Sequence, residues 1–389
     1  MEDWKRIFYR LGNSSETYFD RMRLRLRQRL GLHMNVHILT YRTYASSNEL
    51  YLRGRVLINK NIEVTDRDTV WKNLHNTYKR LSSMEIAGAK LKVKFSDTEH
   101  EFESDEDGYF ELPVGLNNPL PAEELWHHPV IELLESPFPF QPPVHARAEV
   151  MTPPSTARFG VISDIDDTVL TTHATSLLKS MYLTFLNNAH SRLPFEGVSA
   201  FYHALQKGFS GAEDNPIFYV SSSPWNLYDL LIDFLELNKI PNGPLFLKDY
   251  GFTHNKLFSE SHGIHKPRQI RNILNAYPQL NFILIGDSGQ HDPEIYADII
   301  REFPGRILAS YIRDVSIDRR DMEIKKISEG MLEHKVEMVL VPDSSVAAAH
   351  AVEKGFIHPD ALSLIQLEKK AAEEPNHMET VIDEEIGNR

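Results

Sequence analysis

The chain has 389 residues, 41% of them hydrophobic and 25% charged, which is enough for two or three domains with sizeable cores. Its formal net charge of −13 argues against broad nucleic-acid binding, which requires a basic face. The absence of cysteine excludes disulfides, zinc–thiolate sites and iron–sulfur clusters. The sequence shows no signal-peptide pattern and no apolar run of membrane-spanning length, which predicts a soluble, cytoplasmic protein.

The N-terminal segment, residues 1–33, is predicted to contain one amphipathic helix. Its apolar side chains Phe19, Met22, Leu26 and Leu30 share one helical face, and arginines cover the remaining surface. Such a helix could lie on anionic lipid and give the protein a peripheral membrane contact. Docking on the next domain is the favoured interpretation, because apolar stripes on helices are more often packing surfaces.

Residues 34–150 are β-rich and are predicted to form a small β-sandwich-like domain. Partial alternation of apolar and polar side chains predicts strands at residues 36–44, 49–58, 90–95 and 109–114. A helical pattern near residues 69–81 interrupts them. The pair Asp107-Gly108 indicates a hairpin turn, and the acidic residues beside it are interpreted as a solvated turn rather than a calcium site.

A linker at Pro153-Pro154 separates this domain from residues 158–360, where the pattern changes. Short apolar runs such as FGVIS, IFYVS, PLFLK, FILIG, ILASYI and EMVLVP alternate with helical stretches. This alternation predicts a doubly wound parallel sheet covered by helices on both faces. Ligands bind such sheets at the carboxyl ends of the strands. The last residues, 369–389, are predicted to form an acidic tail.

The first parallel strand leads directly into Asp164 and Asp166. Two carboxylates two residues apart at a strand end would repel each other unless water or a metal ion is present. They could be a nucleophile and an acid/base group beside a magnesium ion, or an acidic turn that caps the next helix. A calcium loop of the EF-hand type is excluded, because Val169 occupies the position that needs glycine.

The second strand ends at Ser221, whose hydroxyl could bind phosphate beside a helix N-terminus. Ser223 is predicted to cap that helix, with Pro224 as the first helical residue. Lys266 precedes Pro267 at the predicted start of another helix, where a cation opposes the helix dipole. This unfavourable placement indicates a nearby anion; the alternative is a solvated, screened lysine.

The fourth strand ends in Gly286-Asp287-Ser288-Gly289, followed by Asp292. The two glycines permit tight turns, so that the carboxylates of Asp287 and Asp292 can reach one ion. Asp292 is also predicted to cap the next helix, because proline follows it.

In this order, these residues resemble the haloacid-dehalogenase superfamily. The segments FGVISDIDDTV, YVSSSPWNLY and FILIGDSGQHDPEIYADI are similar, more closely, to the actin-patch-protein family of phosphatidate phosphatases. The resemblance covers about half of the chain, from residue 159 to about residue 356. It does not include the β-rich domain, and the extended tails of the larger members have no counterpart here.

The resemblance implies a role for each residue. Asp164 would attack phosphorus, and Asp166 would protonate the leaving oxygen and then activate water. The phosphoryl group would be held by Thr168, Ser221, Ser222 and Lys266. Magnesium would be held by the carboxylates of Asp164, Asp287 and Asp292 and by the backbone carbonyl of Asp166. Lys248 and Arg313, which also follow strands, would line a headgroup pocket or form surface ion pairs.

The sequence thus predicts a Mg²⁺-dependent phosphatase that acts through an aspartyl phosphate. The favoured reaction is hydrolysis of phosphatidate to diacylglycerol and phosphate. One alternative is a phosphatase for a soluble phosphomonoester or a phosphoprotein. Another is a β-sandwich binding protein with an inactive phosphatase domain, against which the intact set of motif residues argues. The sequence gives no indication of oligomeric state.

Overall fold

A computed structural model describes residues 33–58, 84–165, 198–248, 262–289, 291–314 and 318–373. The helices predicted near residues 13–31 and 69–81 lie outside these ranges. The chain divides into two compact units. In the described residues, the first unit takes in residues 33–58, 84–120 and 126–150, and the second takes in residues 121–125, 151–165 and those from 198 onward.

The N-terminal strands form two sheets. The larger, seven-stranded sheet contains β1 (Val36–Thr40), β2 (Thr43–Ser46), β3 (Glu49–Ile58), β4 (Met84–Glu85), β7 (Tyr109–Gly115), β8 (Trp126–His127) and β11 (Val150–Met151). The four-stranded sheet contains β5 (Lys90–Phe95), β6 (Thr98–Glu103), β9 (Val130–Glu135) and β10 (His145–Arg147). Strands β1, β2, β4 and β7 all pair antiparallel with β3, and the four-stranded sheet is antiparallel throughout.

Alternating side chains explain these strands. In β5, Leu91 and Val93 are buried in a core that also contains Leu50 and Val56 of β3. The lysines that alternate with them, Lys90, Lys92 and Lys94, face outward and pair with glutamates on neighbouring strands. Burying apolar side chains on one face stabilises the sheet by about 25 cal/mol per Å² of apolar surface removed from water.

The predicted hairpin at Asp107-Gly108 is wrong. Gly108 has a φ of 74°, and the Asp105 carboxylate accepts hydrogen bonds from the Asp107 and Tyr109 amides, so the chain does turn here. However, the turn joins β6 of the four-stranded sheet to β7 of the seven-stranded sheet. Asp-Gly chemistry specifies a tight turn, but the partner of each strand depends on which face must be buried.

The second unit is built on a six-stranded parallel sheet. Its strands are β12 (Phe159–Asp164), β13 (Ile217–Pro224), β14 (Leu245–Lys248), β15 (Asn281–Asp287), β16 (Ile307–Arg313) and β17 (Glu337–Val341). Their order is β14-β13-β12-β15-β16-β17, and every pairing is parallel. The predicted α/β class with a parallel sheet is confirmed.

Seven α-helices belong to the described residues of this unit. They are α1 (Val198–Lys207), α2 (Tyr228–Leu237), α3 (His262–Ala276), α4 (Asp292–Glu302), α5 (Asp318–Met331), α6 (Ser344–Glu353) and α7 (Ala361–Glu373). Helix α7 extends to Glu373, so the predicted start of the acidic tail at residue 369 is placed too early. None of the described helices combines the length and apolar character that crossing a membrane would require.

The order in which strands are added to the sheet reverses next to β12. Strands β13 and β14 follow β12 on one side, and β15 to β17 follow on the other side. The connection that follows β12 leads to one side and the connection that follows β15 leads to the other side, which opens a crevice between the carboxyl ends of these two strands. All six residues of β12 are buried, as expected for a central strand.

Candidate active site

The strand register brings three of the predicted residues to one edge of the sheet. Asp164 is the last residue of β12 and lies opposite Val220 of β13, one residue before Ser221. On the other side of β12, Ser163 lies opposite Ile285 of β15, two residues before Asp287. Since parallel strands end at the same edge, Asp164, Ser221 and Asp287 all lie at the crevice.

Asp164, Asp287 and Asp292 form a buried carboxylate cluster. Each offers one carboxylate oxygen, and these oxygens all lie within 4.8 Å of one another. The three residues are 3%, 5% and 0% exposed. Such a cluster is costly unless positive charge compensates it.

Lys266 supplies part of that charge. Its Nζ lies 3.0 Å from Asp164 Oδ1, and it also donates a hydrogen bond to Asp292 Oδ1. Lys266 is 3% exposed, so the alternative of a solvated lysine is wrong. Burial lowers the pKa of Lys266, but the Asp164 and Asp292 carboxylates raise it by more, and the side chain stays charged.

The Asp164 carboxylate is strongly perturbed by its surroundings. Burial raises its pKa well above the usual range; Lys266 opposes this effect, while Asp292 and Asp287 add to it. Asp164 Oδ2 is buried and has no hydrogen-bond partner among the described residues. A divalent cation would compensate the remaining negative charge, and oxygen donors are the ligands that Mg²⁺ prefers. The donor set therefore fits magnesium.

Gly286 allows the two acidic loops to approach. A Cβ atom at this position would lie 2.4 Å from Asp292 Oδ2 and 2.9 Å from Asp292 Cβ. Because Gly286 lacks Cβ, Asp292 Oδ2 can accept a hydrogen bond of 3.2 Å from the Asp287 amide. Asp287 Oδ1 in turn accepts a hydrogen bond of 2.7 Å from the Gly289 amide, which closes the turn after β15.

Two predicted helix caps are wrong. Strand β13 continues to Pro224, a 3-10 turn follows at Trp225–Leu227, and α2 begins only at Tyr228, so Ser223 does not cap it. The Ser223 amide instead donates to Ser221 Oγ at 3.0 Å. Asp292 is the first residue of α4 rather than its cap, and its carboxylate binds Lys266 and the Asp287 amide.

The predicted start of α3 is also wrong. The helix begins at His262, and Pro267 lies inside it, so Lys266 is in the second turn and not at the N-terminus. Direct contact with Asp164 and Asp292 explains its position better than the helix dipole, whose effect is confined to the first turn.

The sequence interpretation missed two groups that support the site. The Tyr202 hydroxyl of α1 lies 2.6 Å from Ser163 Oγ, which donates to the Asp164 carbonyl at 3.0 Å. A serine hydroxyl has one hydrogen, so Tyr202 must be the donor to Ser163. The only signal in the sequence was a serine within an otherwise apolar strand.

The second missed residue is Arg320 of α5. Its guanidinium pairs with the Glu294 carboxylate at 2.7 Å and lies 3.4 Å from the Ser288 carbonyl. It therefore ties the turn after β15 to the first turn of α4. Nothing near residue 320 in the sequence signals this contact.

Not all predicted residues can be placed. Asp166 and Thr168 lie outside the described residues. Ser222 is buried next to Ser221. Lys248 ends β14 and is 2% exposed, which rules out a surface ion pair for it. Arg313 ends β16, where it lies opposite Asp287.

Comparison with known proteins bears on this unit. Residues 159–314 match the family model described as the catalytic domain of phosphatidate phosphatase APP1. The chain is 38% identical over 164 residues to the phosphatidate phosphatase APP1 of Saccharomyces cerevisiae, covering 42% of this chain and 27% of that protein. It is 26% identical over 216 residues to an uncharacterized protein of Schizosaccharomyces pombe, covering 54% and 35%. The chain thus spans about a third or less of the length of these relatives.

Among solved structures, a carbohydrate acetylesterase from Xanthomonas citri, XAC1771, aligns with a TM-score of 0.30 and 8% identity. The alignment covers 87% of this chain and 74% of that structure. A TM-score this low supports no conclusion about fold or function.

The second unit is an α/β domain with a buried carboxylate cluster at the carboxyl edge of its parallel sheet. Residues 159–314 of this unit resemble the catalytic domain of the actin-patch-protein type of phosphatidate phosphatase, and the resemblance predicted from the sequence motifs is confirmed.

Proposed function

We propose that the protein is a Mg²⁺-dependent phosphomonoester hydrolase that acts through an aspartyl phosphate, with phosphatidate as its substrate. One observation carries the proposal: Asp164, Asp287 and Asp292 meet within 4.8 Å at the carboxyl edge of a parallel sheet, with Lys266 among them. The family match over residues 159–314 supports it.

The carboxylates of Asp164, Asp287 and Asp292 would hold the magnesium ion, together with the backbone carbonyl of Asp166. When bound, the ion would neutralise negative charge that develops on the phosphoryl oxygens. Lys266 serves the same purpose from within the chain, because its ammonium is buried and cannot be screened by bulk water. Ser221, Ser222 and Thr168 would donate hydrogen bonds to the phosphoryl oxygens.

Asp164 is the proposed nucleophile. Its Oδ1 is bonded to Lys266, whereas Oδ2 has no hydrogen-bond partner among the described residues. A lone pair on Oδ2 can therefore form a bond to phosphorus while the bond from phosphorus to the ester oxygen breaks. Burial raises the pKa of Asp164; Lys266 opposes this effect and, with a bound magnesium ion, would favour the ionised form, which is the form that attacks.

Asp166 would move the protons. In the first step it gives a proton to the leaving ester oxygen, which releases the alcohol, diacylglycerol in the case of phosphatidate. In the second step it takes a proton from water, whose oxygen attacks phosphorus and breaks the bond to Asp164. Inorganic phosphate leaves, and both carboxyl groups return to their starting states.

The name of the yeast relative favours phosphatidate as the substrate. A soluble phosphomonoester or a phosphoprotein is the alternative substrate class for the same site. The proposal also includes the finer fold descriptions: a haloacid-dehalogenase-like domain over residues 158–360, and a β-sandwich-like domain over residues 34–150. A lipid substrate would require peripheral contact with a membrane.

The test is a phosphate-release assay on the purified full chain, with and without magnesium. Substrates are phosphatidate in mixed micelles, glycerol 3-phosphate and p-nitrophenyl phosphate. We expect magnesium-dependent release that is fastest from phosphatidate. Faster release from the soluble esters would select the alternative substrate class, and no release from any of them would contradict the proposal and favour a binding protein.

Two aspartate variants make the assay specific. Asp164→Asn should lower the rate of phosphate release roughly 10⁴-fold, as expected for loss of a nucleophile. Asp360→Asn is the matched control, because Asp360 is an exposed aspartate of the same unit and its side chain is 91% accessible. Unchanged activity in Asp164→Asn would contradict the assigned mechanism.

A further inference from the structure

The β-rich unit contains a polar cavity. Its volume is about 290 Å³, close to the lower end of the range for small-molecule sites, about 300–1,000 Å³. It is lined by Thr40, Tyr41, Arg42, His128, Arg147 and Glu149. All six residues belong to the first unit, so the cavity lies within one compact body.

Backbone hydrogen bonds hold the walls of this cavity together. The Thr43 amide donates to the Glu149 carbonyl at 3.0 Å, and the Ala148 amide donates to the Pro129 carbonyl at 2.9 Å. Thr40 Oγ1 donates to the Arg147 carbonyl at 3.2 Å. Three chain segments far apart in sequence are therefore fixed against one another, and the cavity is a preformed feature of the sheets.

The charge of the cavity is unequally distributed. Arg42 Nε donates to Glu149 Oε2 at 2.7 Å, so the one carboxylate in the lining is already paired with a guanidinium whose side chain is 10% exposed. Arg147 is exposed and forms no ion pair with any residue in the described part of the chain. The lining thus retains one positive charge beyond the Arg42–Glu149 pair.

His128 adds a second observation that indicates a ligand. Its Nδ1 is buried and has no hydrogen-bond partner among the described residues. A buried polar atom without a partner is unfavourable, so such atoms usually have a hydrogen-bond partner. His128 and Arg147 both line the same small cavity.

We propose that this cavity is a second anion site that binds a phosphate group, outside the hydrolytic centre. Guanidinium groups bind phosphate through two parallel hydrogen bonds, and His128 would contribute a further bond. The cavity is small enough to favour a compact phosphorylated group over a large ligand. That group could be the headgroup of a phospholipid or a soluble phosphate ester, which share this chemistry.

The test measures the chemical reactivity of Arg147 itself, so that binding in the hydrolytic centre does not interfere. The full chain is treated with phenylglyoxal, which modifies accessible arginines, and modification of each arginine is followed by peptide mass spectrometry. We expect saturating inorganic phosphate to slow modification of Arg147 by roughly fivefold or more, because a bound anion occupies its donors. Arg301 is the control, since it is exposed in the second unit.

Three ligands distinguish the sources of the phosphate. They are inorganic phosphate, glycerol 3-phosphate, and phosphatidylcholine vesicles that contain phosphatidate. Protection by the soluble ligands supports a site for free phosphate esters, and protection by the vesicles alone supports a headgroup site. If Arg147 and Arg301 are slowed by the same factor in all three cases, the site does not exist and the proposal fails.

Two variants that leave Arg147 intact complete the test. His128→Asn should raise the phosphate concentration that gives half-maximal protection by roughly fivefold, because the ring nitrogen is lost. Lys90→Gln, which removes a positive charge from the same unit outside the cavity, should leave that concentration unchanged. Equal effects of the two variants would show that general electrostatic attraction, rather than the cavity, accounts for protection.

Discussion

Lys266 Nζ lies 3.0 Å from Asp164 Oδ1, and the two side chains are each 3% exposed. The same ammonium also binds Asp292. One buried cation therefore holds together a carboxylate from the end of β12 and a carboxylate from the start of α4. The stability of the unit and its proposed chemistry both depend on this contact, because removing one partner of a buried ion pair is strongly destabilising.

Lys266→Met should destabilise the second unit. Removing the ammonium leaves buried carboxylates uncompensated, at a cost of about 3–5 kcal/mol of unfolding free energy. Urea unfolding in the absence of divalent cations measures this loss, and added magnesium should recover part of it by binding the native state. Lys354→Met, which removes a lysine from an exposed pair with Glu337, should have a much smaller effect. Equal losses in the two variants would contradict the role assigned to Lys266.

Gly286→Ala should impair phosphate release and also lower the stability of the second unit, because Asp292 Cβ itself must shift. The new Cβ would lie 2.4 Å from Asp292 Oδ2, so the carboxylate must move away from Lys266 and the Asp287 amide. We expect at least a roughly tenfold loss of activity, and a higher magnesium concentration for half-maximal rate. Gly330→Ala is the control: a Cβ there meets nothing within 4 Å, and alanine favours the helix. Full activity in Gly286→Ala would show that Asp292 need not be held in this position.

Tyr202→Phe tests the support beneath Asp164. Burial raises the pKa of Tyr202, so its hydroxyl stays protonated and can donate to Ser163. Loss of this hydrogen bond should reduce the unfolding free energy by about 1 kcal/mol. Because Ser163 bonds to the Asp164 carbonyl, kcat should fall moderately, while the magnesium dependence stays unchanged. A changed magnesium dependence with unchanged stability would contradict a positioning role.

Asp343 links α6 to α7 in a pH-dependent way. Its carboxylate caps α6 through the Ser345 and Val346 amides and pairs with Lys369 of α7 at 2.7 Å. Burial alone would raise the pKa of Asp343, but the hydrogen bonds from Lys369 and the Ser345 amide lower it below its usual value. A folded pKa below the unfolded one means that the contribution to stability is present above the unfolded pKa and is lost as the pH falls through the folded pKa.

Asp343→Asn keeps a capping side chain but removes the charge. We therefore expect it to be slightly less stable than the wild type at pH 7, by less than about 1 kcal/mol, and equally stable once the pH is low enough to protonate Asp343. Urea unfolding at the two pH values measures the difference. A difference that stays constant between them would contradict the pH linkage.

Much of the β-structure was predictable from the local pattern of apolar and polar residues in the sequence. Strand β3 (Glu49–Ile58) and strand β5 (Lys90–Phe95) have the predicted bounds, because apolar alternation and flanking turns specify them locally. The apolar runs of the parallel sheet were found with end errors of up to three residues. Strand pairing was not predictable from the turn at Asp107-Gly108, because it depends on burial of distant side chains rather than on turn chemistry.

The order of acidic and basic residues along the chain indicated which of them meet. Parallel strands deliver their carboxyl ends to one edge, so Asp164 and Asp287 could be expected together from the sequence. The local setting of Lys266 was misjudged, because Pro267 suggested a helix start when it lies inside α3. The bond between Ser163 and Tyr202 joins residues 39 positions apart, and no local pattern encodes it.

The central claim is that Asp164 carries the phosphoryl group. The most direct measurement is peptide mass spectrometry of the full chain, quenched in acid during turnover of phosphatidate with magnesium. We expect one added phosphoryl group on Asp164. In Asp166→Asn this group should accumulate when the substrate is p-nitrophenyl phosphate, whose leaving oxygen needs no proton, because water is no longer activated. Steady release of phosphate with no phosphoryl group on Asp164, or with the group on another residue, would contradict it.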